Sequence, residues 1–350
     1  MFSRIRNLSK LKIPKRPLII LDGGTGTEIE KRLSNLPNLI KNDAWVAATH
    51  LYHPEIVLDV HKSYKKAGAD IITANTYATN RHVLKAAGLE NELEKAIVLA
   101  VELAREAATS KLMRHDIKAI AFHEAKVAGS ISCHPPAVKL INGAYIGNWP
   151  SKEQEFQNYK EATELLIDQK VDYLFIELMK DLEHSPVLME AVAEVFKERK
   201  CDIPIHLGIS TRLNSTDGAG RTNVCLFDRS QNIPFTPDLI ENFIKIFQNT
   251  NDNSNQHHCN LQSINLMHTN FSIIEHALKI LKSSSWQGKI GCYPDHGHYK
   301  VPEWVFEELE MEEALKYARK WEEMGVSMIG GCCGVGPEFI EAVAREFREK

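Results

Sequence analysis

The chain has 350 residues, 42 Lys+Arg against 46 Asp+Glu, with 43% hydrophobic and 25% charged residues, an ordinary globular composition. Its formal charge of −4 offers no basic excess for nucleic acid, and no apolar run approaches the ~18 residues of a membrane span. Seven cysteines at irregular spacing do not make a disulfide scaffold; they suit reduced thiols in a cytosol-like compartment, so a cytoplasmic protein is expected.

Residues 1–16 carry Arg4, Arg6, Lys10, Lys12, Lys15 and Arg16 without an acid. They are read as a basic N-terminal tail, with an organellar transit peptide as the alternative. From residue 17 to 350 a single domain is expected. Eight short apolar runs follow, at 18–24 (LIILDGG), 69–77 (ADIITANTY), 127–132 (VAGSIS), 171–178 (VDYLFIEL), 203–210 (IPIHLGIS), 263–268 (SINLMH), 289–293 (KIGCY) and 327–331 (SMIGG). Near-continuous Val, Ile and Leu predict strands buried on both faces. Between them, 54–67, 91–109, 153–169 and 311–324 place apolar residues at helical steps. Pro54, Pro186 and Pro337 stand where helices would begin. The polar segments 214–220 and 249–260 are read as loops. Strand and helix alternating eight times predict an α/β fold, a single (β/α)8 TIM barrel.

Active sites of such barrels lie where the strands end. Asp22, Asn75, Ser130, Glu177, His268, Asp295, Cys332 and Cys333 all fall at those ends. The turn 22–26 (DGGTG) lets a backbone approach an anion closely, or is simply a tight turn. Glu177 closes an apolar strand, where a carboxylate can hold an ammonium group or remain ion-paired. The pentapeptide 330–334 (GGCCG) brings two thiols within reach of one soft metal, zinc above all, or else buries two small apolar side chains.

Taken in order, the segments 21–30 (LDGGTGTEIE), 53–77, 127–132, 172–178 and 330–340 (GGCCGVGPEFI) resemble the homocysteine S-methyltransferase family, which includes betaine–homocysteine and S-methylmethionine–homocysteine methyltransferases. The resemblance implies a zinc-bound homocysteine thiolate methylated by a small onium donor to give methionine. It implies substrate contacts from Asp22, Gly23, Gly24, Asn75 and Glu177: the acids on the ammonium, the glycine amides on the carboxylate, Asn75 lining the pocket. It also implies zinc held by Cys332, Cys333 and a third cysteine, but Leu266 stands at that third position. Strand alternation would give Leu266 and His268 the same facing, so His268 is the expected replacement, with Cys292 as fallback. The competing expectation is a metal-free barrel that binds an amino acid or thiol without turnover. His296 and His298 either reshape the donor pocket or belong to a polar loop. Partners are expected to be small molecules, neither nucleic acid nor membrane; no interface stripe reveals the oligomeric state.

Overall fold

A computed structural model describes residues 18–34, 46–111, 124–136, 139–141, 144–146, 148–216, 222–228, 232–248, 259–300, 303–306 and 309–348. The tail 1–16 and residues 249–258 of the second polar segment lie outside them. All eight apolar runs form strands: β1 (Ile19–Ile20), β2 (Ile71–Thr73), β3 (Lys126–Ser132), β4 (Tyr173–Met179), β5 (Ile205–Thr216), β6 (Leu261–Asn270), β7 (Lys289–Asp295) and β8 (Met328–Ile329). They pair side by side in the order β1-β8-β7-β6-β5-β4-β3-β2, and a parallel bridge between Leu21 and Ile71 joins the two ends. The sheet closes as a (β/α)8 barrel.

Alternation along the strands divides the core. Leu21, Ile71, Ala128, Phe175, Met267, Tyr293 and Met328 form a small buried cluster inside the barrel. Their neighbours Ile20, Ile72, Val127, Leu174, Ile176, Leu266 and Cys292 belong to the large core beneath the helices. That outer layer is covered by α1 (Thr25–Leu33), α2 (Pro54–Ala67), α3 (Leu93–Thr109), α4 (Lys152–Asp168), α5 (Ser185–Arg199), α6 (Pro237–Gln248), α7 (Phe271–Lys282), α8 (Met311–Glu323) and α9 (Pro337–Arg348). The four helices expected from periodicity are therefore present to within two residues at each end, and the three prolines occupy first-turn positions, where a missing N–H costs nothing. Caps fix the starts. The Ser151 hydroxyl accepts from the Gln154 amide at 3.2 Å, and Asp181 Oδ1 accepts from the His184 and Ser185 amides at 2.7 and 3.1 Å, satisfying donors that a helix leaves unpaired.

Of the first polar segment, 214–216 depart from the expected loop, and 217–220 lie outside the described residues. β5 continues through Thr216 and pairs antiparallel with Thr222–Leu226. Its threonines favour an extended backbone. At the opposite end of the barrel a single carboxylate holds the closing seam. Asp70 Oδ2 accepts from the Ile20 amide at 2.8 Å and pairs with the guanidinium of Arg348.

Candidate substrate and metal site

Asp22 leaves β1 at the barrel mouth and is 6% exposed. Its two oxygens accept from Thr73, one from the amide at 2.7 Å and one from the hydroxyl at 2.8 Å. Glu177, inward-facing on β4, accepts from the Ser130 hydroxyl of β3. Burial pushes both carboxyls up to about 7; Thr73 opposes the rise at Asp22, while the charge of Glu177 adds to it. At Glu177 the Ser130 hydroxyl opposes burial, and the Cys332 sulfur adds to the rise. Two acids whose charge is disfavoured in a closed mouth form a receptor for a cation.

At the same mouth, His268 Nδ1 lies 3.4 Å from Cys332 Sγ and 3.7 Å from Cys333 Sγ. The two sulfurs are 4.0 Å apart, and one ligand atom from each of the three residues falls within 4.8 Å of the others. Cys332 carries the thiolate: the neighbouring Cys333 thiol and His268 stabilise its charge against burial and hold it well below the ordinary thiol range. Burial alone would lower the imidazole, yet the Cys332 charge beside it raises His268 to about 9. Two thiols and an imidazole converging on one point are a donor set zinc accepts, with room for a further ligand. The residues fit the metal.

Backbone irregularity builds this half of the site. The register of β6 on β7 slips between Met267↔Tyr293 and Asn270↔Asp295, leaving one additional residue in β6. His268 sits in that bulge with φ +43°. The β4–β5 register slips in the same way between Ile176 and Met179, where Leu178 has φ +63°. Non-glycine residues in the left-handed region are costly and cluster at functional sites. The cysteine loop is pinned by backbone bonds from Cys332 N to Pro294 O at 2.7 Å and from Gly331 N to Asp22 O at 3.0 Å.

Several expectations need correction. Leu266 and His268 do not share a facing: Leu266 is fully buried in the helix-side core, and His268 reaches the mouth because the bulge breaks alternation. Cys292 is withdrawn as a ligand, since it is paired beside Leu266 and buried in the same outer core. The Gly24 amide does not face the mouth as an anion donor; it donates to Val335 O at 3.0 Å. The two glycines answer a steric need, since a Cβ at Gly23 would lie 2.3 Å from Val335 O and one at Gly24 2.4 Å from Cys332 O. Asn75 uses its amide nitrogen on Val46 O at 2.9 Å and His50 Nδ1 at 3.2 Å, tying down the 46–50 segment. His296 braces the cysteine loop through its amide, 2.8 Å from Cys333 O; the His298 side chain lies outside the described residues. Thr73, Tyr77 and Tyr293 were not anticipated. The available signal was parity, since Thr73 stands two residues beyond inward Ile71 and Tyr293 shares its row with Met267.

The family model for homocysteine S-methyltransferase matches residues 19–347. The chain belongs to the homocysteine S-methyltransferase family. It is a methyltransferase, similar to homocysteine S-methyltransferase 1 of Arabidopsis thaliana (24% identical, covering 95% of this chain and 94% of that one). It is also similar to homocysteine S-methyltransferase YbgG of Bacillus subtilis (26%, 94% of each chain) and to selenocysteine Se-methyltransferase of Brassica oleracea (26%, 93% and 87%). Among solved structures, the metallated form of the homocysteine methyltransferase MmuM from Escherichia coli has the same fold, with TM-score 0.64 at 20% identity over 95% of this chain and 97% of that one. No helix among the described residues is long and apolar enough to cross a membrane.

Proposed function

We propose that this family member transfers a methyl group from a small onium donor to the thiol of homocysteine, forming methionine, with zinc held by Cys332, Cys333 and His268. The observation that carries the reading is the convergence of His268 Nδ1 on both sulfurs, at 3.4 and 3.7 Å, in the mouth that also holds two buried acids. A free thiol, with a pKa of roughly 8.5, is little ionised at neutral pH; a bound zinc ion supplies its deprotonation.

The remaining work belongs to the chain. Asp22 and Glu177 take the substrate ammonium, which favours the charged form of both acids and orients the thiol toward the sulfurs. Charge coupling between Glu177 and both Cys332 and His268 supports one shared mouth for the two ends of one amino acid. Aromatic rings support an onium donor: Tyr77 lies 5.7 Å from His134 and 6.1 Å from His268, and Phe227 lies 6.0 Å from His268. A sulfonium or quaternary ammonium meets ring faces favourably.

The test is metal analysis of protein purified from zinc-supplemented medium, followed by methyl-transfer assays with sulfonium and betaine-type donors. About one zinc per chain, lost together with activity in His268→Ala, is the expected result. A protein that is zinc-free and cannot be loaded sinks the reading and favours the binding-only barrel.

A further inference from the structure

We infer that Tyr77 is a positioning residue for His268, fixing Nδ1 rather than Nε2 as the nitrogen that binds the metal. This rests on the zinc reading above and asks something that reading leaves open. A cysteine ligand has one donor atom and needs no further instruction. An imidazole has two, and the partner of one nitrogen decides which is left for the metal.

The two nitrogens are in different company. Nδ1 faces both sulfurs, at 3.4 and 3.7 Å, whereas Nε2 is 3.9 Å from Cys332 Sγ and 3.2 Å from the Tyr77 hydroxyl. With Nδ1 on the metal the neutral ring carries its proton on Nε2, and Nε2–H donates to the phenol oxygen.

Tyr77 is itself held. Its carbonyl accepts from the Ser132 hydroxyl at 2.6 Å, and one residue earlier Thr76 Oγ1 donates to Ser130 O at 2.8 Å and accepts from Ser130 N at 3.0 Å. The loop after β2 is thus riveted to β3, on the wall facing the bulge. A ligand on a left-handed bulge residue has a less constrained backbone setting than one on a regular strand, and an outer partner on a rigid wall compensates.

The experiment loads the full chain with cadmium-113 after labelling its histidines with nitrogen-15, and reads metal–nitrogen coupling. Coupling at Nδ1 of His268 is expected; coupling at Nε2 overturns the inference. In parallel, a chromophoric chelator competes for zinc against wild type and Tyr77→Phe, and the variant is expected to bind about 10–100-fold more weakly. Unchanged affinity in a folded Tyr77→Phe also overturns it. Should that variant fail to fold, the coupling measurement on wild type still decides. A wild type that takes up neither metal ends the zinc reading itself, an outcome distinct from a loaded site with the other nitrogen bound.

Discussion

The two halves of the mouth are fixed by different contacts. The acid half is held by side chains of neighbouring strands: Asp22 and Glu177 are each met by a hydroxyl from the next strand, Thr73 or Ser130, even though β4 bulges at Leu178, directly after Glu177. The sulfur half stands on exceptions, a glycine-flanked loop and a bulge with His268 at φ +43°. A hydroxyl from the neighbouring strand suffices to fix each acid in the shared cavity. Bringing three donor atoms to one point takes backbone that a strand does not supply.

The sharpest way to break this comparison is to remove one converging donor. Cys332→Ala should reduce zinc retention to background, a loss on the order of 10³-fold in affinity if three ligands share a structural-site binding energy; metal analysis after dialysis reads it. Removing a charge from the other half should be milder. Glu177→Ala is expected to weaken homocysteine binding by about 1.5–3 kcal/mol by calorimetry, the worth of a charge-assisted hydrogen bond, with zinc content unchanged. Unaltered affinity in that variant would remove Glu177 from the substrate contacts.

A third measurement separates the halves by pH. Folding raises the Glu177 carboxyl from its ordinary 4.5 to about 7, so between those values the folded chain binds more protons than the unfolded one. The ligand-free protein should therefore lose stability as pH rises through that window. Glu177→Gln, which cannot ionise, should be about 1–3 kcal/mol more stable than wild type at pH 8 and show little gain near pH 4.5 in denaturant titrations. Equal gains at both pH values would mean that the charge is not the cause. The smallest effect concerns Leu266. Leu266→Cys in a His268→Ala background should not recover zinc, because position 266 faces the helices, and should cost about 1–3 kcal/mol through lost packing. Recovery of metal would show that β6 can turn its 266 side chain inward.

The same division explains what could be read from the amino acids. Eight Val/Ile-rich runs sufficed for the barrel, and the strand ends sufficed to put Asp22, Glu177, Cys332 and Cys333 at one rim, because a barrel's polarity is a property of sequence position. His268 was named for a wrong reason: strict alternation put it on the side of Leu266, and a bulge at a histidine, unlike one at glycine, leaves no mark in composition. Gly23 and Gly24 suggested an anion cradle, but their need arises from the Val335 and Cys332 carbonyls more than 300 residues away in the chain. Long-range backbone contact of that kind has no local signature. Thr73 and Tyr77 are common polar residues, and only the register of neighbouring strands singles them out.

The closing seam has a mechanical consequence. Through Asp70, the two-residue strand Ile19–Ile20 and Arg348 are gathered at one carboxylate on the floor of the barrel, while at the mouth the chain after β1 is tied to the segment before α9 through the Gly24 amide and Val335 O. Force applied between the two ends of the described chain would load this short strand and its salt link before any longer strand, opening the barrel like a zip from its seam. Conversely, a peptide tether across residues 18 and 348 would lie on the floor, away from the mouth, so new chain ends could be cut elsewhere in a permuted protein while the catalytic rim stays undisturbed.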